Sequence, residues 1–435
     1  MRFCFITSFY PPFHAGGCGL HVHHLANLLA EDGHRVDVLC SGEAHAYKIA
    51  ARREGDYPHH PDVTVHRITT GTGKVEPLLT YLAGRPFFSR RGIRDVIEGE
   101  FDVIHYHNIS LFGGIALLGM GKGVKLFTQH TYWLFCPAHY LWKMGRKVCD
   151  RKECMRCLWS CRKPPQFWRG TGIRGRMLKE VDSLIMPCRF MLEKHREEGF
   201  GQRMDCLPYF VSPVAPCDNP VLEKEFGYLR PFFIFVARFE RYKGPQVAVS
   251  AFRKKKGIAG LVMVGTGTME EELREMAAGD PRIRFLDYVA PDKLDWLYAN
   301  AVALLAPSVW PEMGNQTVIQ AQSCGTPAIA SDVGLLPELV RDHGAGLMFT
   351  TEDELIDATE QMEDPSVRRS FVEPCLRAYR EEYTPERYLQ RYYSLLDDLS
   401  AGVRKKEKTN FPVFSVAEGA HPITPDDVKK LEDEV

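Results

Sequence analysis

The chain has 435 residues, 45% of them hydrophobic and 26% charged, with a formal net charge of −1. That length exceeds one ordinary core and implies two domains, and the near-neutral balance excludes a nucleic-acid footprint spread over the whole molecule. No apolar run reaches the roughly 18 to 20 residues of a membrane span.

The N-terminus opens with RFCFITSF, a continuous apolar strand that Pro11-Pro12 ends. No small-residue cleavage site follows, so it reads as a buried first strand rather than a signal peptide, and a cytoplasmic protein is expected. The Gly/Pro loop PPFHAGGCG leads into LHVHHLANLLAEDG, whose Leu20, Leu25, Leu28 and Leu29 have helical spacing and which stops at Gly33. HRVDVLCSG is the next strand, and the rhythm recurs at VTVHRI, FDVIHYHN, VKLFTQH and DSLIMPC. Strands alternating with helices predict a parallel sheet with right-handed crossovers.

Within this first series lies a cysteine-rich insertion at about residues 136–165. Cys136, Cys149, Cys154, Cys157 and Cys161 are spaced C-x12-C-x4-C-x2-C-x3-C. Thirteen cysteines in an intracellular chain point to thiols or metal ligands rather than disulfides. A structural zinc held by Cys136, Cys149, Cys154 and Cys157 is the expected arrangement, with Cys161 spare or substituting. An iron–sulfur cluster or reduced thiols are the alternatives. Few aliphatics surround the cluster, so a metal is expected to supply its folding free energy. Four thiolates leave no open position for catalysis.

From Leu141 to Glu180 there are twelve Lys/Arg against three Asp/Glu, interleaved with Trp142, Trp159, Phe167 and Trp168. Three readings stand open: contact with an anionic membrane or lipid-linked acceptor, a solvated face, or, least favoured, nucleic acid.

The proline-rich CLPYFVSPVAPCDNP marks a hinge at 207–222. A second series follows in PFFIFVARF, AGLVMVGTG, RIRFLDYV, VALLAPSVW and TPAIASDVG. The expected organisation is an N-terminal Rossmann-like domain over 1–206, a C-terminal one over 223–385, a helix over 386–402 packing back toward the N-terminal domain, and a mobile charged tail over 403–435. Ligands should sit at the carboxyl ends of both sets of strands.

Residues 306–340, APSVWPEMGNQTVIQAQSCGTPAIASDVGLLPELV, resemble the donor-binding segment of the retaining family 4 glycosyltransferases. VARFERYKG resembles that family's G-R-x-x-x-x-K-G segment, and the first βα unit is similar too. The likeness spans roughly residues 1 to 400. It implies a GT-B fold, two doubly wound α/β domains facing across a cleft, and transfer from a UDP-, GDP- or ADP-sugar without a catalytic cofactor. By this resemblance Arg238 and Lys243 meet the donor phosphates, a task that suits a forked and a point cation. Glu312 would bind donor-sugar hydroxyls, alongside backbone groups of Met313, Gly314 and Asn315, and a second role as helix-capping carboxylate is compatible with this. Gly16 and Gly17 would let backbone amides approach phosphate, and His130 would face the cleft and position sugar or acceptor. Gln320 stands where the family usually has a second glutamate for the ribose, so it keeps a neutral contact there. A degenerate glycan-binding protein and a sugar-nucleotide epimerase are the competing functions.

Overall fold

The computed structural model describes residues 1–13, 17–48, 57–214, 219–287 and 289–409. The first sheet is built from β1 (Arg2–Thr7), β2 (Arg35–Ser41), β3 (Val63–Ile68), β4 (Val103–Tyr106) and β5 (Val124–Thr128). A two-stranded hairpin, β6 (Trp142–Lys143) and β7 (Lys147–Val148), interrupts it before β8 (Ser183–Met186) and β9 (Met204–Cys206). The second sheet holds β10 (Phe232–Val236), β11 (Gly260–Val264), β12 (Ile283–Leu286), β13 (Leu304–Ala306), β14 (Ala328–Ser331) and β15 (Gly346–Phe349). Their orders are β3-β2-β1-β4-β5-β8-β9 and β12-β11-β10-β13-β14-β15. Both are parallel and doubly wound, reversing direction between β1 and β4 and between β10 and β13, and that reversal opens a crevice at the strand ends.

The strands form where apolar side chains run without alternation, as burial on both faces requires. Phe3, Cys4, Phe5 and Ile6 are fully buried, as are Phe232, Phe233 and Ile234. Each such large apolar side chain contributes about 1.5–3 kcal/mol. The helix Gly17–Glu31 turns Val22, Leu25, Ala26 and Leu29 into this core and ends before Gly33, whose φ is 83°. Short β9 and β15 carry too little pattern to be read as strands beforehand.

Both sheets belong to one compact unit, Met1–Tyr393; Ser394–Val435 forms a second. Two expectations change. The helix expected over 386–402 runs Pro385–Thr409, since nothing after Thr384 breaks it. Within the first unit its Tyr392 donates to or accepts from His105 Nδ1 at 3.0 Å, and Tyr393 bonds Asp32. The end of the expected hinge is helical, because Asn219 caps the helix Pro220–Phe226. The remainder of the expected tail, 410–435, lies outside the described residues.

The cysteine-rich insertion has more support than its composition implies. Trp168 and Trp133 are buried with ring centroids 5.3 Å apart, and Leu158, on the helix Cys154–Ser160, is buried as well. Arg169 and Arg174 donate to the Leu134 carbonyl at 3.1 and 2.8 Å, tying the basic stretch to the chain entering the insertion. Burial and cation–carbonyl bonds therefore share the work that the sequence assigned to a metal alone.

Candidate active site

β10 delivers two cations to the crevice. Arg238 follows its carboxyl end, and its guanidinium donates to the Tyr242 hydroxyl. The turn Arg241–Lys243 then ends at Gly244, which has φ 74° and lies so close to the Pro307 carbonyl that a Cβ there would sit 1.7 Å from the oxygen. Only glycine fits both demands, and the turn consequently packs against the chain leaving β13.

That packing sets Lys243 Nζ 2.7 and 2.9 Å from the two carboxylate oxygens of Glu312. Glu312 is 1% exposed and also accepts from Ser308 Oγ at 2.5 Å. A carboxylate this buried persists because charged and hydroxyl donors replace its lost water. Lys243 also lies 5.7 Å from the Trp310 ring centroid. Glu312 does not cap the helix Gln316–Ser323: Asn315 does, its side-chain oxygen accepting from the Val318 amide at 3.3 Å and from Thr317 Oγ1 at 2.7 Å. The Met313 side chain belongs to the core, so only its backbone is left to meet a ligand. Gln320 accepts from the Tyr298 hydroxyl at 3.4 Å.

The opposite wall comes from the first sheet. Gly17 begins the helix that follows β1, and a Cβ on it would meet Gln316 Oε1 at 2.7 Å. The start of the Gly17–Glu31 helix thus lies against the side chain of Gln316, the first residue of the Gln316–Ser323 helix, and each helix start carries a positive dipole end. Gly16 lies outside the described residues.

His130 stands at the end of β5, and both its ring nitrogens are occupied. Nε2 is 3.0 Å from His107 Nδ1 and Nδ1 is 2.6 Å from the Tyr209 hydroxyl. Burial lowers its pKa to about 3, so the ring is neutral. The histidine expected to position sugar or acceptor thus has both ring nitrogens engaged within the protein. His21, His105 and His107 crowd the same place and are 2%, 0% and 2% exposed. Burial, then neighbouring imidazoles, depresses all three, His105 to about 3.

Sequence reasoning missed His107, Tyr209 and Ser308. The alternation His105-x-His107 at the end of β4 was a usable signal, because it sets both rings on one face of a strand that points at the crevice. Tyr209 carries no signal, being one aromatic in a proline-rich connection.

Among the described residues, no group of three or more His, Cys, Asp or Glu converges as a metal site. The five insertion cysteines are partly buried thiols outside any disulfide. Cys157 Sγ accepts from the Met144 amide at 3.2 Å, and burial, then the neighbouring thiols, raises the pKa of Cys149 and Cys154. The insertion, and Tyr132 just before it, also reach the loops of the second sheet. Tyr140 lies 6.1 Å from Tyr242 and 5.7 Å from Trp310, centroid to centroid, and the Tyr132 hydroxyl donates to the Pro311 carbonyl at 3.1 Å.

A cavity of about 560 Å³ opens on the far side of Ser308, lined by Arg241, Glu272, Ser331, Thr350 and Glu352. Its lining includes none of Arg238, Lys243 and Glu312, and Arg241 is committed to both Glu272 oxygens at 2.9 Å. The buried Lys243–Glu312 pair at the strand ends is the better-equipped site.

Two facing doubly wound sheets with ligand-ready strand ends define a GT-B glycosyltransferase fold. Sucrose-phosphate synthase from Thermosynechococcus elongatus shares that fold at a TM-score of 0.72 and 18% identity, covering 92% of this chain and 100% of its own. Anabaena HepE in complex with UDP-glucose does so at 0.64 and 14%, with the same coverages. In sequence, residues 15–213 match Glycosyltransferase Family 4 and residues 230–364 match Glycosyl transferases group 1. The alpha-maltose-1-phosphate synthase of Mycolicibacterium smegmatis is 24% identical over 427 residues, 90% of this chain and 99% of that one. The chain belongs to the group 1, family 4 type of glycosyltransferases.

Proposed function

We propose that this glycosyltransferase moves a sugar with retention of configuration from a nucleoside diphosphate sugar, held by the second sheet, to an acceptor held by the first. The buried Lys243–Glu312 pair at the ends of β10 and β13 carries this reading. A diphosphate leaving group gathers negative charge as the glycosidic bond breaks, and Arg238, Lys243 and the positive helix ends at Gly17 and Gln316 would stabilise it. Glu312 holds Lys243 in place and offers its carboxylate to donor-sugar hydroxyls. HepE, of the same fold, is described bound to UDP-glucose, which supports a UDP-sugar as the first donor to try.

The acceptor reading draws on the surface of the insertion. Trp159, Met155 and Phe167 are 88%, 68% and 67% exposed, and Arg151, Lys152, Arg156 and Arg162 around them are exposed as well. Exposed aromatics among cations suit peripheral contact with an anionic membrane, and hence a lipid-linked acceptor. No helix among the described residues is long and apolar enough to cross a membrane.

A thermal-stabilisation screen of UDP, GDP and ADP tests the donor reading. A ligand at 100 times its dissociation constant adds about 2.7 kcal/mol, so one base should raise the melting temperature selectively. No shift with any of the three at millimolar concentration would remove the nucleotide-sugar reading.

A further inference from the structure

Tyr209 lies in the connection between the two sheets and touches both walls of the site. Its ring is parallel to that of His130, with an interplanar angle of 2° and centroids 5.7 Å apart. On the other side it presses on Gly314, two residues past Glu312, where a Cβ would meet Tyr209 Cε2 at 2.3 Å. His21 lies against it as well, centroid to centroid at 4.8 Å. One side chain therefore spans from the end of β5 to the loop that carries Glu312.

The protons of this chain can be assigned. Tyr209 Oη, His130 Nδ1, His130 Nε2 and His107 Nδ1 form a line with contacts of 2.6 and 3.0 Å. The far nitrogen, His107 Nε2, is buried without a partner. A buried N–H left unpaired is rarer and costlier than a bare acceptor, so Nε2 carries no proton. His107 must then be protonated at Nδ1 and donate to His130 Nε2. His130, neutral, carries its proton at Nδ1 and donates it to the Tyr209 oxygen. The Tyr209 hydroxyl thus receives a hydrogen bond and keeps its own proton for a further partner.

We propose that Tyr209 is the hydrogen-bond donor the first sheet offers to the nucleotide sugar, with His130 and His107 as positioning residues that fix its direction. Its partner is an oxygen of the donor near Gly314, on either the diphosphate or the sugar. This deepens the nucleotide-sugar reading and rests on it. The histidine that the sequence marks for this task acts one residue removed from the ligand.

The test compares wild type with Tyr209→Phe, which keeps the ring against Gly314 and removes the hydroxyl. UDP and UDP-glucose binding are measured by calorimetry, and UDP release from UDP-glucose gives kcat and KM. Loss of about tenfold in affinity for both ligands assigns the diphosphate, and loss for UDP-glucose alone assigns the sugar. His107→Phe should leave Tyr209 in place and lower kcat about tenfold with KM little changed, since it frees the direction of the hydroxyl. Unchanged binding and turnover in a folded Tyr209→Phe protein would overturn the proposal while leaving the donor site standing. If wild type binds neither these ligands nor GDP or ADP, the functional reading itself falls; if it binds another base, the same comparison is made with that nucleotide. Nitrogen NMR of the His130 ring then still decides the proton assignment, which a proton at Nε2 would contradict.

Discussion

Acidification should unfold this protein before it touches most carboxylates, and the cause is the histidine cluster. His21, His105 and His107 are buried and neutral, their pKa values pushed below the ordinary 6.5 by burial and by one another. In the unfolded chain each regains a value near 6.5 and binds a proton below it. Unfolding therefore takes up protons as the pH falls, and the stability present above pH 6.5 is lost progressively toward the folded value, about 3 for His105. At pH 5 His105 and His130, each lowered to about 3, cost about 2 kcal/mol apiece, hence about 4 kcal/mol, and His21 and His107 act in the same direction. His23 and His195, also buried and each lowered to about 4, add about 4 kcal/mol more. Domain stabilities are only about 5–15 kcal/mol, so the native state should be lost or nearly so at pH 5. Urea denaturation at pH 7.5, 6.5, 6.0 and 5.5 measures the slope, and the heat of unfolding in buffers of different ionisation enthalpy counts the protons. Uptake of fewer than about two protons per chain at pH 5.5 would refute the buried-neutral assignment.

Other expectations are quicker to check. Gln320→Glu should preserve or tighten nucleotide binding, because Glu matches Gln in shape and adds a charge-assisted bond to ribose; calorimetry showing binding lost in a folded variant would mean Gln320 serves its Tyr298 contact instead. For the insertion we propose about one zinc per chain through the cysteines between 136 and 161. All four non-glycine residues with positive φ among the described residues, His139, Leu141, Met144 and Arg162, fall in this segment, and such conformations cost about 1–3 kcal/mol each unless held from outside. Elemental analysis of untagged protein should find the zinc; neither zinc nor iron, with all five thiols titrating, would leave packing as the sole support. Because Tyr140 and Tyr132 reach Trp310, Tyr242 and Pro311, chelation should weaken donor binding as well as acceptor use. Replacing Trp159 and Phe167 together by Ala should lower sedimentation with phosphatidylserine vesicles at least about tenfold; equal binding of variant and wild type would assign this surface to solvent.

The sequence was informative wherever chemistry and periodicity coincide. Continuous apolar runs such as Phe3–Ile6 and Phe232–Phe235 can only be strands of a sheet covered on both faces, and their alternation with helices implies the doubly wound order. Arg238, Lys243 and Glu312 were legible as donor-site candidates through the family resemblance carried by the two segments VARFERYKG and APSVWPEMGN. Contacts between distant segments were not legible. Nothing in the spacing says that Lys243 reaches Glu312, that Gly17 lies on Gln316, or that Tyr209 lies between His130 and Gly314. Nor could composition reveal that Trp133 and Trp168 fold the insertion, since the aromatics which hold it and those which face outward alternate within one basic run.

The central claim is that Lys243, locked to Glu312, stabilises the departing nucleoside diphosphate. Turnover of the donor picked out by the nucleotide screen, measured as nucleotide release by wild type and by Lys243→Ala, tests it most directly. The account predicts a fall in kcat of about 100-fold or more with the fold intact, the scale of removing a charge donor from a developing oxyanion. Wild-type kinetics in a folded Lys243→Ala protein would contradict it.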